Sequence, residues 1–127
     1  MLGADQLVEL DGAVLGKPGD RARAHAQLAA LSGRAHALHT AFALFTPSGS
    51  CSEHLDTHVL TLRALEANEI ERYLDADQPY DCAGSYKIEQ RGIALCERIE
   101  GGDFTAITGL PLVALTTALR AHGFALP

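Results

Sequence analysis

Apolar and polar positions divide this chain into short alternating segments separated by turn residues. Leu2 to Leu10 predicts a strand, with Leu7, Val8 and Leu10 requiring cover on both faces. Asp11-Gly12 is a two-residue hairpin signal, and Ala13-Val14-Leu15 returns as a second strand. Gly16-Lys17-Pro18-Gly19 reads as a loop. Asp20 can then cap a helix running to about Ser32, with Ala24, Leu28 and Leu31 on one face and Gly33 as its stop. Ala35 to Thr46 and Cys51 to Leu65 predict two long strands joined by the turn Pro47-Ser48-Gly49-Ser50. Glu66 to Asp75 predicts a helix with Ile70, Tyr73 and Leu74 inward. Cys82-Ala83-Gly84-Ser85 is a small-residue loop or helix end. Gly92 to Ile99 predicts an apolar strand ended by Gly101-Gly102. A last helix starts near Pro111, shows Leu112, Leu115 and Leu119 at helical spacing, and stops at Gly123. These elements make one mixed α/β domain, residues 1–127, with antiparallel hairpins and three helices.

Size and composition agree with that reading. The chain has 127 residues, 47% of them apolar, which suffices for one core. Ten Lys and Arg against 16 Asp and Glu leave a formal charge of −6. An acidic balance excludes a general nucleic-acid or anionic-membrane binder, since both need a basic surface. No apolar run reaches the roughly 18 residues of a membrane span, and Met1-Leu2-Gly3-Ala4-Asp5 lacks the basic start of a signal peptide. Cys51, Cys82 and Cys96 are odd in number, widely spaced and without a C-x-x-C pair. They read as reduced thiols in a cytoplasmic protein.

Few residues suggest chemistry by themselves. His54 and His58 lie four apart on an alternating segment. At a strand rise of ~3.3 Å they are about 13 Å apart, too far to share an ion. His36 and His39 belong to opposite faces, so the histidines read as solvated or core residues. Asp5 lies early in an apolar strand, where a carboxylate must be paired, hydrated, metal-bound or at a surface strand end. Lys17 sits in a flexible Gly-Lys-Pro-Gly loop that suits a phosphate but is not a P-loop. Glu89 lies in the polar stretch Ser85-Tyr86-Lys87-Ile88-Glu89-Gln90-Arg91-Gly92, which also reads as a solvated loop.

The order of these stretches carries more. Gly3-Ala4-Asp5-Gln6, Leu10-Asp11-Gly12, Gly16-Lys17-Pro18 and Leu31-Ser32-Gly33 resemble the Maf family of nucleotide pyrophosphatases. Cys82-Ala83-Gly84-Ser85-Tyr86, Arg91-Gly92, Glu97-Arg98-Ile99-Glu100-Gly101 and Gly109-Leu110-Pro111-Leu112 continue the resemblance in register across nearly the whole chain. It implies an α/β fold with a long, bent mixed sheet. It implies hydrolysis of nucleoside triphosphates between the α and β phosphates with a divalent cation, magnesium or manganese. It further implies a cytoplasmic and often dimeric protein; an older family label is septum-formation inhibitor.

The resemblance places the general base and metal-binding carboxylate on Asp5 and the phosphate-neutralising lysine on Lys17. It places base selection on Gln6 and Glu89, and Lys87 of the same polar stretch is counted with the substrate contacts. Asp5-Gln6 together with Glu89 looks like the 7-methyl-GTP branch, whereas the dTTP and UTP branch looks like Asp-Thr and Gln. N7-methylguanine is cationic and presents N1–H and N2–H on one edge, both of which a carboxylate accepts.

Two departures stand out. Thr105 occupies the place where many relatives carry Asn before Gly-Leu-Pro. A Ser-x-Ser-x-Arg-Arg loop, which cradles the triphosphate in the family, does not occur in these residues. The expectation is therefore the C-terminal portion of the family fold, from a fragment or a late-start gene reading, that alone is inactive and prone to pair with another chain. The alternative reading is a non-catalytic Maf-like protein that binds nucleotide or a partner and influences cell division.

Overall fold

Asp11 and Gly12 both hold positive φ, at 50° and 84°, which lets the chain reverse within two residues. The structure is a computed structural model that describes residues 1–127. In it this turn joins β1 (Leu2–Leu10) to β2 (Ala13–Leu15). α1 (Arg21–Leu31) follows, its first turn capped by Asp20, which accepts the Arg23 N–H at 2.8 Å. β3 (Ala35–Phe45) and β4 (Cys51–Leu62) form the long hairpin. α2 (Ala67–Asp77) starts with a reciprocal capping box between Glu66 and Glu69. β5 (Cys96–Glu100) and α3 (Leu112–Ala121) complete the chain.

The five strands form one sheet in the order β2-β1-β3-β4-β5. The α/β class and the three helices are as expected, but every neighbouring pair is antiparallel rather than mixed. The reason lies in β1. β2 and β3 both run antiparallel to it, hence parallel to each other, and α1 crosses between them as in a parallel unit. β1 is inserted between the two parallel strands, so they never pair.

Strand alternation sorts residues to two faces. Val8, His36, Leu38, Thr40, Phe42, Leu44 and Leu60 face the helices and are buried. The main core joins Val8, Leu38 and Leu60 to Leu28 of α1 and to Ile70 and Leu74 of α2. A smaller cluster seats Leu115 of α3 on Phe42 and Leu44. No helix covers the opposite face, where Leu55 is 62% exposed. β1 is less buried than its apolar sequence suggests: β2 pairs only with Val8–Leu10, and Leu2 to Asp5 are exposed along an open edge.

The predicted strand over Gly92–Ile99 begins only at Cys96. Arg91–Leu95 coils instead into a 3₁₀ turn that drives Leu95 into the core. The N–H groups of Gln90 and Gly92 both donate to the Lys87 carbonyl, at 3.1 and 2.9 Å, folding the chain back on itself. Only glycine fits at 92, since a Cβ there would lie 2.5 Å from that carbonyl oxygen. β4 likewise ends at Leu62 rather than Leu65, because Arg63 N–H turns to the Leu95 carbonyl and Leu65 N–H to the Ser32 hydroxyl. No helix is long and apolar enough to cross a membrane.

Candidate active site

A cavity of about 260 Å³ opens beside β1, between the loop before α1, the segment around residues 81–89 and Ile107–Gly109. Asp5, Gln6, Lys17 and Glu89 all border it. Its size is near the lower end of the ~300–1,000 Å³ of small-molecule sites.

Gln6 and Asp5 are neighbours with different tasks. The Gln6 side chain faces the helices, where its Nε2 lies 3.0 Å from each of three acceptors: Thr40 Oγ1, the Ala106 carbonyl and the Ile107 carbonyl. Two backbone carbonyls can only accept, so the nitrogen must be the end that meets them. Gln6 thereby ties the sheet to the Ile107–Gly109 rim, and its Oε1 has no hydrogen-bond partner in the chain. Thr40 adds its own hydrogen bond to the Ala106 carbonyl at 3.0 Å. Asp5 lies on the open edge of β1, where no strand takes the Gln6 backbone N–H. Its Oδ1 accepts that N–H at 2.8 Å, leaving Oδ2 without a partner.

Lys17 makes no ion pair within the chain. Its loop is held by α1 and the start of the 81–89 segment. Gln27 donates to the Gly16 carbonyl at 3.0 Å and accepts from the Ser85 hydroxyl at 2.6 Å. Gly19 N–H reaches the Tyr80 carbonyl at 2.9 Å. Gly84, at φ 76°, lets this segment cross Val8: a Cβ there would sit 2.8 Å from the Val8 methyl. Beneath it Tyr86 is buried with its hydroxyl 2.8 Å from His36 Nε2, while His36 Nδ1 has no partner.

Glu89 is exposed and has no partner in the chain. Lys87 does not border the cavity; its ammonium lies 3.6 Å from Asp81. Asp81 does border it, and sequence reasoning missed this residue. The Asp81 N–H, the Cys82 thiol and the Lys87 ammonium hold its carboxyl below the ordinary range. Burial, with Asp81 beside it, pushes the Cys82 thiol up to about 11, so it is a poor nucleophile. The cavity thus carries three carboxylates, on Asp5, Asp81 and Glu89, against the one unpaired ammonium of Lys17.

The rim is fixed from α3. Asp103 accepts from the N–H and hydroxyl of Thr105, at 3.0 and 2.5 Å, and from the Val113 N–H at 2.9 Å. Thr105 Oγ1 accepts the Leu112 N–H at 2.9 Å. Thr105 therefore caps α3 and shapes the Gly-Leu-Pro turn.

No three His, Cys, Asp or Glu side chains are placed to hold an ion by themselves. Magnesium is usually held by one or two carboxylates together with substrate phosphates and waters. The free oxygen of Asp5 at the cavity edge fits that mode. Of the histidines, His58 bonds Asp56 at 2.6 Å, His39 bonds Thr57 at 2.8 Å, and His54 stacks on Phe42.

Fold and cleft together define an α/β domain with a polar, mainly acidic cavity beside β1. A model of the family described as Maf-like protein matches residues 1–122. A 7-methyl-GTP pyrophosphatase of Xanthomonas oryzae pv. oryzae is 52% identical over 127 residues, all of this chain and 66% of that relative. Proteins of the same name from Ralstonia nicotianae and Hahella chejuensis are 49% and 42% identical. They are matched over 94% and 100% of this chain and 62% and 64% of their own lengths. The chain belongs to the Maf-like family, and it spans about 66% of the length of the first of these relatives.

Proposed function

We propose that this chain forms the base-selecting and water-activating part of a pyrophosphatase that cleaves 7-methyl-GTP between its α and β phosphates, releasing monophosphate and pyrophosphate. The observation that carries the reading is convergence. Asp5, Gln6, Lys17 and Glu89, drawn from three separated segments, border one cavity. The names of the relatives point to the same substrate.

Each residue has a task that follows from its position. The unpartnered Oδ2 of Asp5 accepts a proton from water and orients it. Lys17 offsets charge on a phosphate oxygen. Glu89 accepts N1–H and N2–H of the guanine edge, and its negative charge favours the cationic methylated ring. Gln6 contributes an acceptor oxygen while holding the rim. Asp5, together with the substrate phosphates, would hold a divalent cation, which would supply charge neutralisation there.

The test is pyrophosphate release by the full gene product from 7-methyl-GTP, GTP, dTTP and UTP, with magnesium and with manganese. Preference for 7-methyl-GTP is expected. Preference for dTTP or UTP, or no release from any of the four, would overturn the reading.

A further inference from the structure

We propose that Asp77 is a positioning residue for base selection: it fixes the loop that presents Glu89. The proposal rests on Glu89 reading the base, as argued above. Asp77 lies in the last turn of α2 and its side chain is completely buried. Both facts oppose a carboxylate. The carbonyls at a helix C-terminus disfavour negative charge, and burial without partners is costly.

Arg91 supplies two contacts in compensation, and the Tyr73 hydroxyl lies beside the same carboxylate. Arg91 donates its backbone N–H to Oδ2 at 2.9 Å and places Nη1 3.3 Å from Oδ1. The other end of the same loop is held one helical turn earlier. Tyr73 Oη accepts the Lys87 N–H at 2.7 Å. Residues 73 and 77 stand i,i+4 and so share one face of α2. That face therefore grips the two ends of a five-residue loop, Lys87 and Arg91, while the Lys87 carbonyl closes the loop onto Gln90 and Gly92.

Glu89 is the middle residue of that loop. With no side-chain partner in the chain, its carboxylate is directed by the loop backbone alone. An apolar side chain at 77 could fill the same space without the burial of a charge. The carboxylate adds a fixed direction for the Arg91 N–H, and through it for Glu89.

The experiment measures binding of 7-methyl-GMP and GMP to the full gene product, so no turnover is needed. Wild type, Asp77→Asn, Asp77→Ala, Glu89→Gln and the double variant Asp77→Ala/Glu89→Gln are compared. Asp77→Ala is expected to cut the preference for the methylated base about three- to thirtyfold, inside the roughly 2- to 150-fold range of coupled neighbours. Little further loss is expected in the double variant. Asp77→Asn keeps an oxygen for the Arg91 N–H and should lie between; it also serves if the alanine variant does not fold. Losses that multiply in the double variant, or equal weakening of both nucleotides by Asp77→Ala, overturn the proposal.

Trypsin provides a readout free of nucleotide, because the loop carries its own cleavage sites after Lys87 and Arg91. Faster cleavage there in the Asp77 variants is expected, and unchanged protection overturns the proposal. If Glu89→Gln leaves the preference intact while the loop still loosens, the fault lies in the reading of Glu89. If Glu89→Gln abolishes the preference and Asp77→Ala does not touch it, the fault lies in the positioning.

Discussion

The carboxylate of Asp5 accepts the backbone N–H of Gln6 at 2.8 Å. The bond exists because β2 leaves that part of β1 unpaired, and it directs the carboxylate along the strand edge beside the cavity. One short side chain thus satisfies an edge donor with one oxygen and offers the other to a ligand.

Asp5→Asn keeps the shape of that arrangement and removes its charge. Turnover is expected to fall about a hundred- to ten-thousandfold, the usual worth of a general base, with the melting temperature little changed. Steady-state kinetics with magnesium check it, and turnover near that of the wild type rules out Asp5 as the base.

Glu89→Gln should reduce activity on 7-methyl-GTP more than on GTP, since only the methylated base is cationic. A hydrogen bond to a charged group is worth about 1.5–3 kcal/mol, so the ratio of kcat/KM values should shift roughly 10- to 100-fold. Equal losses on both substrates make Glu89 a purely structural residue.

Gln6 separates two kinds of damage. Gln6→Leu removes the donor and leaves the Ile107 carbonyl without its partner, for a loss of about 1–3 kcal/mol. Gln6→Glu also turns an oxygen toward two carbonyl oxygens and should be the worse of the two. Urea denaturation of both variants gives the order; a milder glutamate variant contradicts the described orientation of the amide.

His36 makes stability depend on pH. Burial holds its imidazole at about 4, against an ordinary 6.5. Between those values the unfolded chain binds a proton that the folded chain refuses. The contribution is therefore complete above about pH 6.5 and is lost as pH falls toward 4, an effect on the order of 3 kcal/mol. His36→Gln cannot titrate, so its stability should fall less over that interval. Denaturation at pH 7.0 and 4.5 checks this, and parallel losses in both proteins remove His36 as the cause.

Thr105→Val preserves shape but removes the hydroxyl that bonds Asp103 and caps Leu112. A loss near 1 kcal/mol is expected, typical of a helix cap, with Thr105→Ser close to wild type. Thermal melts of the two variants distinguish the hydroxyl from the methyl group.

What the sequence makes legible here follows from where the deciding interactions lie. The alternation His36, Leu38, Thr40, Phe42, Leu44 is a local pattern, and β3 forms where it predicts. Asp11-Gly12 is equally local. Gly92-Ile93-Ala94-Leu95 has no period of its own, and it coils where Gly92 N–H turns back to the Lys87 carbonyl and Arg91 N–H to Asp77, fourteen positions before Arg91. The same holds for the site. Asp5, Gln6, Lys17 and Glu89 stand out by motif order, and the cavity gathers them. Lys87 stands beside Glu89 in sequence but turns to Asp81. Gln27 bridges to Ser85 across 58 positions, which no pattern in α1 reveals. Asp77 does leave a trace, an acidic residue in the last turn of a helix, where a basic one is the favourable choice.

The tie between Gln6 and the Ala106 carbonyl spans 100 positions. A nascent chain emerging from the ribosome therefore exposes Asp5 and Lys17 well before the segment that closes their cavity. Pairings of such high sequence separation form late and slowly. A ligand that needs the closed cavity would then bind only the completed domain and raise its stability in proportion to the logarithm of ligand concentration.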